Sequence, residues 1–393
     1  MAAFINFKAF QEFLRSGQIG GFLLIMAVTI SLIIANIGFY DGFHALLNSS
    51  FGYAPLDLRF TTEIWINDGL MAIFFLLVGL EIKREILEGE LSTLSKATLP
   101  IFAALGGMIF PAGIYYLFNS GTATENGWGI PMATDIAFAL AVISMLGKKV
   151  PTSLKVFLAA LAIVDDLGAI LIIAIFYSKN LHFEHLLYAA GVVTLLAAMN
   201  KFGVKSLLFY VVPGLFLWYF IHHSGIHATI AGVLLAFTIP TNPVKEESTL
   251  ERFEHILVKP VNFIIMPLFA LANTNILFQS HMIKGLTSSL GMGILLGLLL
   301  GKTVGITFFS YIAVKLGFSS LPDRSSWKHI FGIGMLAGIG FTMSVFIALL
   351  SFYSAEYHDN AKFSILIASL LAGILGYVYL SFLYKKRKKF ESK

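Results

Sequence analysis

Long apolar segments recur along the whole chain and are separated by short polar loops. Most of these segments approach the roughly 20 residues that an α-helix needs to cross the hydrocarbon core of a membrane. The segment 205–239 is too long for one helix, and a His-His-Ser-Gly stretch divides it into two. The pattern therefore predicts an all-α polytopic membrane protein with twelve spans, near residues 17–38, 62–82, 98–118, 124–146, 152–177, 185–200, 205–220, 224–239, 255–278, 290–314, 328–352 and 362–384.

The basic residues lie mainly on one side of this twelve-span arrangement. Of the 27 Lys and Arg residues, only Arg59, Lys179, Lys284 and Lys362 fall in the opposite loops, and Lys302 lies inside a span. The positive-inside rule then predicts that both termini are cytoplasmic, with residues 385–393 forming a basic cytoplasmic tail. Topology accounts for the net charge of +5 better than a nucleic-acid partner does.

Composition supports a membrane protein. The chain is 57% hydrophobic and 12% charged, with a mean hydropathy of +0.83, whereas soluble domains carry about 25% charged residues. The absence of cysteine excludes disulfides, thiolate chemistry and cysteine metal sites. The first apolar run, 20–37, is long enough to span and shows no cleavage motif, so we interpret it as a retained helix. We expect no cofactor.

Two of the predicted spans are apolar but carry clusters of helix-breaking residues. Span 4 carries Pro131 at mid-membrane, and span 11 contains the glycine-rich stretch 332–342. The two spans cross in opposite directions, and each is the middle member of a three-span unit, 3–5 or 10–12. Interrupted spans at matching places of inverted repeats point to a transport site at mid-membrane, because unpaired backbone groups there must line a cavity or meet a charge. We therefore predict inverted-topology repeats with discontinuous helices 4 and 11.

Four charged residues lie centrally within the predicted spans: Asp135, Asp165, Asp166 and Lys302. Each costs about 2.5–3.5 kcal/mol to insert at the centre of a membrane helix. An internal salt bridge explains Lys302 and one aspartate, but it leaves two carboxylates without a cation. This deficit of positive charge favours a transported cation.

The adjacent aspartates are expected to have different tasks, because neighbouring residues on a helix point about 100° apart. One of Asp165 and Asp166 should pair with Lys302. The other should join Asp135 and the hydroxyl oxygen of Thr134 in a site for a hard cation such as Na⁺ or Li⁺. The stretch 297–303 resembles a phosphate-binding loop, but its spacing is one residue short and it lies in an apolar helix, so we do not expect ATP.

Further titratable residues lie near the ends of the predicted spans. Glu81, Arg84 and Glu85 share one face of span 2. With Glu254 and His255 they form either a titrating cluster or an ordinary solvated helix end. His227 is likewise either a core histidine or a pH-sensitive group.

Five segments, in order, resemble the bacterial NhaA-type sodium/proton antiporters over essentially the whole chain. The resemblance implies that Asp135 and Asp166 bind the ion and its competing protons, while Asp165 pairs with Lys302. It places Thr134 at the crossing of the broken helices. It assigns Glu81, Arg84, Glu85, Glu254, His255 and His227 to the pH response. The segments are Phe74–Glu85, Ala133–Ala139, Leu161–Ala169, Gly225–Gly232 and Gly338–Ser344.

The resemblance also implies the activity and assembly of the protein. We expect a single transmembrane domain, 1–393, in the bacterial inner membrane. It would exchange cytoplasmic Na⁺ or Li⁺ for external H⁺, electrogenically and under pH control, for sodium and pH homeostasis. It would be a transporter and not an enzyme. A hairpin within residues 45–58 of the periplasmic loop 39–61 would make it a homodimer.

One departure from the family concerns the segment after Glu254-His255. The family often has a second histidine there, before a proline, and this chain has an extra residue and no such histidine. The pH profile is therefore the feature that the resemblance supports least. From the residues alone, a cation channel and an intramembrane aspartyl hydrolase remain alternatives, although Lys302 beside the acids disfavours both.

Overall fold

The computed structural model describes residues 7–178, 181–241 and 247–391. Lys179, Lys245 and Lys393, which entered the topology prediction, lie outside these ranges. In chain order the α-helices are α1 (Phe7–Asn36), α2 (Tyr40–Asn48), α3 (Thr62–Ile64), α4 (Met71–Leu87), α5 (Leu94–Asn119), α6 (Ile136–Met145), α7 (Thr152–Phe176), α8 (Phe183–Lys201), α9 (Leu208–His223), α10 (Ile230–Thr238), α11 (Thr249–Pro260), α12 (Met266–Asn273), α13 (Ser280–Gly285), α14 (Ser289–Leu296), α15 (Lys302–Lys315), α16 (Trp327–Ala337), α17 (Phe341–Ser351) and α18 (Ala355–Glu391).

Shorter elements connect or interrupt these helices. Two strands, β1 (Ser50–Tyr53) and β2 (Leu58–Thr61), pair antiparallel with Ser50 opposite Thr61. Turns of 3₁₀-helix cover Ala54–Leu56, Glu125–Met132 and Gly147–Lys149, and π-helical turns cover Trp65–Leu70, Val261–Ile265 and Gly297–Gly301.

Helical structure occupies all twelve segments that the sequence predicts to span the membrane. Within the described ranges, eight helices are long and apolar enough to cross a membrane, or nine if the bent pair α16 and α17 is one span. α9 has 16 residues and α10 has nine, so each is shorter than an ordinary span. The polytopic helical fold is confirmed, while the count of twelve and the inverted repeats stay predictions.

The chain divides into two compact units. One unit contains Glu90–Ala169 and the chain from Phe278 onward, together with the start of α1. The other contains Leu23–Gly89 and Ile170–Leu277. All four central charges, and both interrupted helices, belong to the first unit.

Glycine contacts hold helices close together in each unit. In the first unit α5 and α15 touch at Gly106 and Gly305, where a Cβ on either glycine would collide with the carbonyl oxygen of the other. In the second unit α4 and α10 approach at Gly79, whose added Cβ would lie 2.7 Å from the Cβ of Ala236. Small residues allow such close helix packing, which membrane proteins use in place of the hydrophobic effect.

Candidate functional site

The predicted break in span 4 lies where a 3₁₀-helix gives way to α6. The 3₁₀ segment ends at Met132, and the backbone is extended at Ala133 and again at Asp135. Asp135 is the N-cap of α6, and its Oδ1 accepts a hydrogen bond from the N–H of Phe138 at 2.9 Å. An N-cap carboxylate satisfies one of the unpaired donors at a helix start. The break therefore leaves a buried carboxylate, 2% exposed, at the N-terminus of a half-helix.

The predicted break in span 11 separates α16 from α17, which are bent by 48°. At the start of α17, Thr342 donates twice to Oδ2 of Asp135, from its N–H at 3.2 Å and from its hydroxyl at 2.6 Å. The N-termini of both α6 and α17 therefore point to one carboxylate. Helix N-termini carry a partial positive charge of about half a unit, so both stabilise a negative charge on Asp135.

Side-chain hydroxyls satisfy carbonyl groups where the two broken helices cross. The hydroxyl of Thr134 donates to the carbonyl oxygen of Ala337 at 3.0 Å, and that of Ser344 donates to the carbonyl oxygen of Ile130 at 2.7 Å. The backbone N–H of Asp135 donates to the carbonyl oxygen of Ile339 at 2.7 Å. Each break thus supplies a hydroxyl to the other, which makes irregular backbone tolerable inside an apolar environment.

Lys302 and Asp165 form a fully buried ion pair in the same unit. The Nζ of Lys302 lies 2.5 Å from Oδ2 of Asp165, and both side chains are 0% exposed. Thr134 donates its hydroxyl to the same oxygen at 2.7 Å. Asp166, the next residue on α7, is also buried. Removing one partner of such a pair leaves an uncompensated buried charge, so the pair is expected to fix the positions of α7 and α15.

One predicted site residue makes contacts in the structure that differ from those expected. Thr134 was expected to supply its oxygen to an ion site with Asp135, but its hydroxyl donates to Asp165 and to a backbone carbonyl. The hydroxyl that contacts Asp135 belongs to Thr342, which the sequence argument did not single out. The feature of the sequence that could have indicated Thr342 is its position at the end of the glycine-rich stretch 332–342. The roles of all these residues in transport stay predictions.

A second group of charged residues gathers at the end of α4, in the other unit. Arg84 lies 2.9 Å from Glu254 and 2.8 Å from Glu85, and Glu81 is buried one turn earlier on the same helix. The close contact of His255 lies elsewhere: its imidazole pairs with Glu247 at 2.8 Å, and both side chains are about half exposed. The predicted cluster therefore consists of a largely buried network and an exposed pair beside it.

Lys83 lies next to that network but faces α10. Its ammonium group donates to the carbonyl oxygens of Phe237 and Ile239, at 2.7 and 2.5 Å, at the C-terminal end of α10. A cation at this place complements the negative end of the helix dipole. Burial lowers the pKa of Lys83 from 10.5 to about 8.

The lowered pKa of Lys83 predicts a pH-dependent difference in stability from Lys83→Arg. Between about pH 8 and pH 10.5 the unfolded chain binds more protons at this position than the folded protein does. The folded state therefore gains stability as the pH rises through this window. Arginine stays charged and shows no such gain.

Melting temperatures of both proteins, measured in detergent at about pH 7.5 and about pH 9.5, check this expectation. The melting temperature of the wild type minus that of Lys83→Arg should increase with pH. A difference that is the same at both values would contradict the titration of Lys83. All other titrating groups are common to the two proteins and cancel.

Asp68 meets two histidines in the same unit as Lys83. Its carboxylate oxygens lie 3.5 Å from Nδ1 of His222 and 3.5 Å from Nε2 of His227. His227 also contacts the hydroxyl of Thr229 at 2.8 Å. His227 was predicted from the sequence as a candidate, whereas His222 and the pairing with Asp68 were not. Nothing in the spacing of these residues indicates that they meet.

Comparisons with known proteins identify similar chains. The family model described as Na⁺/H⁺ antiporter 1 matches residues 11–380. The Na(+)/H(+) antiporter NhaA 2 of Flavobacterium johnsoniae is 59% identical over 392 residues, which cover 99% of this chain and 96% of the relative. The Na(+)/H(+) antiporter NhaA of Flavobacterium psychrophilum is 51% identical over 377 residues, 96% of each chain. That of Shewanella sp. strain ANA-3 is 48% identical over 386 residues, 97% of this chain and 99% of the relative.

Proposed function

We propose that Asp135 and Asp166 carry Na⁺ and H⁺ in turn. The chain belongs to the Na⁺/H⁺ antiporter 1 family and exchanges Na⁺ for H⁺ across a membrane. The observation that carries this proposal is the position of Asp135. It is a buried carboxylate at the N-termini of two half-helices, α6 and α17, which stabilise its ionised form. An ionised oxygen ligand in a water-poor setting suits a hard, weakly polarising cation.

The proposed mechanism is competition between Na⁺ and protons for the same carboxylate oxygens. Na⁺ binds when Asp135 and Asp166 are ionised, and protons that bind to the same oxygens expel it. Exchange follows when only the loaded forms move the site from one side of the membrane to the other, since a ligand shifts the equilibrium only by its differential affinity. Neighbouring carboxylates titrate in coupled steps, so the pair as a whole determines the pH at which Na⁺ binds.

Lys302 serves this mechanism by neutralising Asp165. The buried pair at 2.5 Å supports a role for Asp165 as a fixed partner of Lys302 and not as an ion ligand. Three buried carboxylates against one ammonium group leave two negative charges, of which two protons neutralise both and one Na⁺ neutralises one. Unequal charge on the two loaded forms would make exchange electrogenic, and the membrane potential would then contribute about 2.3 kcal/mol per charge per 100 mV.

The pH response is proposed to arise in the network of Arg84, Glu85, Glu254 and the buried Glu81. The contacts at 2.8 and 2.9 Å support this assignment, since protonation of Glu254 removes a charge that Arg84 pairs. His255 is a weaker contributor, because exposed ion pairs are worth about 0–1 kcal/mol. The positive-inside pattern supports placing this network and both termini on the cytoplasmic side of a bacterial inner membrane.

Homodimer formation is proposed to use the β1–β2 hairpin. Each strand of a two-stranded sheet has an outer edge that can pair with another chain, and Phe51 and Tyr53 are 53% and 62% exposed. We expect Tyr53→Asp to lower the dimer fraction in detergent, as measured by light scattering. Tyr353→Asp, at a tyrosine that is 84% exposed outside the hairpin, is the control. An unchanged dimer fraction in Tyr53→Asp would contradict the assignment.

Reconstituted protein tests the proposed function directly. Proteoliposomes that hold a pH gradient receive Na⁺, Li⁺ or K⁺ over a series of pH values, and the loss of the gradient is recorded. We expect Na⁺ and Li⁺ to discharge the gradient with saturation and K⁺ to leave it intact. A flux of Na⁺ that does not saturate or does not move H⁺ in the opposite direction would indicate a channel.

A further inference from the structure

Span 10 contains a π-helical turn directly before its buried lysine. The turn covers Gly297–Gly301, and the backbone N–H of Lys302 donates to the carbonyl oxygen of Gly297, five residues earlier. A π-turn holds one residue more than a turn of α-helix, and such turns occur frequently at functional sites. The turn therefore changes the direction in which Lys302 projects from the helix.

The same turn aligns a row of glycines. Gly293, Gly297, Gly301 and Gly305 are spaced four residues apart. In a regular α-helix each step of four residues rotates by about 40°, so three steps would spread the glycines over about 120°. The extra residue in the π-turn reverses part of this rotation, so the four glycines remain on one face of the helix.

All four glycines contact α5 in the structure. A Cβ added to Gly293 would lie 2.9 Å from Cδ2 of Tyr115. One added to Gly297 would lie 2.7 Å from Cβ of Pro131, in the 3₁₀ segment, and 3.3 Å from the carbonyl oxygen of Pro111. Closer to the lysine, a Cβ on Gly301 would lie 2.8 Å from Cα and 2.9 Å from N of Pro111. These are backbone atoms of another helix, which cannot move aside as the end of a side chain can.

We propose that Gly301 is a positioning residue for Na⁺/H⁺ exchange: its contact with Pro111, together with the π-turn, holds Lys302 against Asp165. This inference rests on the proposed function, in which the pair keeps Asp165 from competing for ions. A methyl group at Gly301 pushes the start of α15 away from α5. The ammonium group of Lys302, separated from Asp165, then competes with Na⁺ for the carboxylate of Asp166, the next residue on α7.

The test is Gly301→Ala, with Gly113→Ala on α5 as the matched control because a Cβ at Gly113 meets nothing within 4 Å. We expect Gly301→Ala to raise the apparent KM for Na⁺ several-fold, with a smaller effect on kcat. Gly113→Ala should leave both constants unchanged. Lys302→Arg, whose longer side chain reaches further, should restore part of the affinity when combined with Gly301→Ala.

A second variant covers the case in which Gly301→Ala fails to fold. A Cβ on Gly107 would lie 3.0 Å from Cγ1 of Ile306, on α15, and in ordinary contact with Cδ of Lys302 at 3.6 Å, so Gly107→Ala presses on α15 more mildly. It should shift the KM for Na⁺ in the same direction. The proposal is overturned if the folded variant has the KM of Gly113→Ala. That result leaves the proposed function standing, because the function is tested separately by the exchange activity of Asp166→Asn.

Discussion

Asp166→Asn is expected to abolish Na⁺-dependent proton movement in proteoliposomes while the protein still inserts in the membrane. Asparagine has nearly the size of aspartate, so the packing around the buried position is kept. The amide does not ionise, so it neither attracts Na⁺ strongly nor carries an exchangeable proton. We expect a loss of about 100-fold or more, which corresponds to about 2.8 kcal/mol.

Glu184→Gln is the matched control, because it makes the same change of carboxylate to amide at an exposed position. It should exchange Na⁺ at the wild-type rate. The amount of each variant in the membrane separates a loss of exchange from a loss of protein. Unchanged exchange in Asp166→Asn would contradict the assignment of Asp166 to the ion site.

Lys302→Met is expected to destabilise the protein strongly, because it leaves the Asp165 carboxylate buried without its cation. Removal of one partner of a buried pair costs about 3–5 kcal/mol, whereas replacement of both by neutral groups is often tolerated. The double variant Asp165→Asn/Lys302→Met should therefore melt closer to the wild type than Lys302→Met does. Since Asp135 and Asp166 remain, it should also keep measurable exchange.

Melting temperatures of the two single variants and the double variant form a cycle that isolates the interaction of the pair. If the losses in the single variants simply add in the double variant, the two residues are not coupled. Loss of all exchange in a stable double variant would give Asp165 a direct part in ion transfer. Either result would contradict the role proposed for the Asp165–Lys302 pair.

The sequence predicted the interruptions of the helices well, because proline and clustered glycine act locally. Pro131 and the stretch around Gly338 mark breaks that the structure places at Ala133–Asp135 and between α16 and α17. Partners across helices were harder to predict, because spacing gives the face of a helix and not what that face meets. Thr134 and Thr342 illustrate this, since they bind Asp165 and Asp135 respectively.

The π-turns had no counterpart in the sequence prediction. A shift of backbone hydrogen bonds from four to five residues leaves the apolar composition of a span unchanged. The turn before Lys302 thus became visible only with the backbone. The separation of His255 from Glu254 has a similar cause, because adjacent helical residues point about 100° apart.

Na⁺ and protons are proposed to compete for the same buried carboxylates. Titration calorimetry of the purified protein with Na⁺, in two buffers with different enthalpies of ionisation, counts the protons released for each ion bound. Na⁺ binding should release protons in the wild type, and Asp166→Asn should lose both binding and release. Binding of Na⁺ with the same heat in both buffers, and hence no proton release, would contradict it.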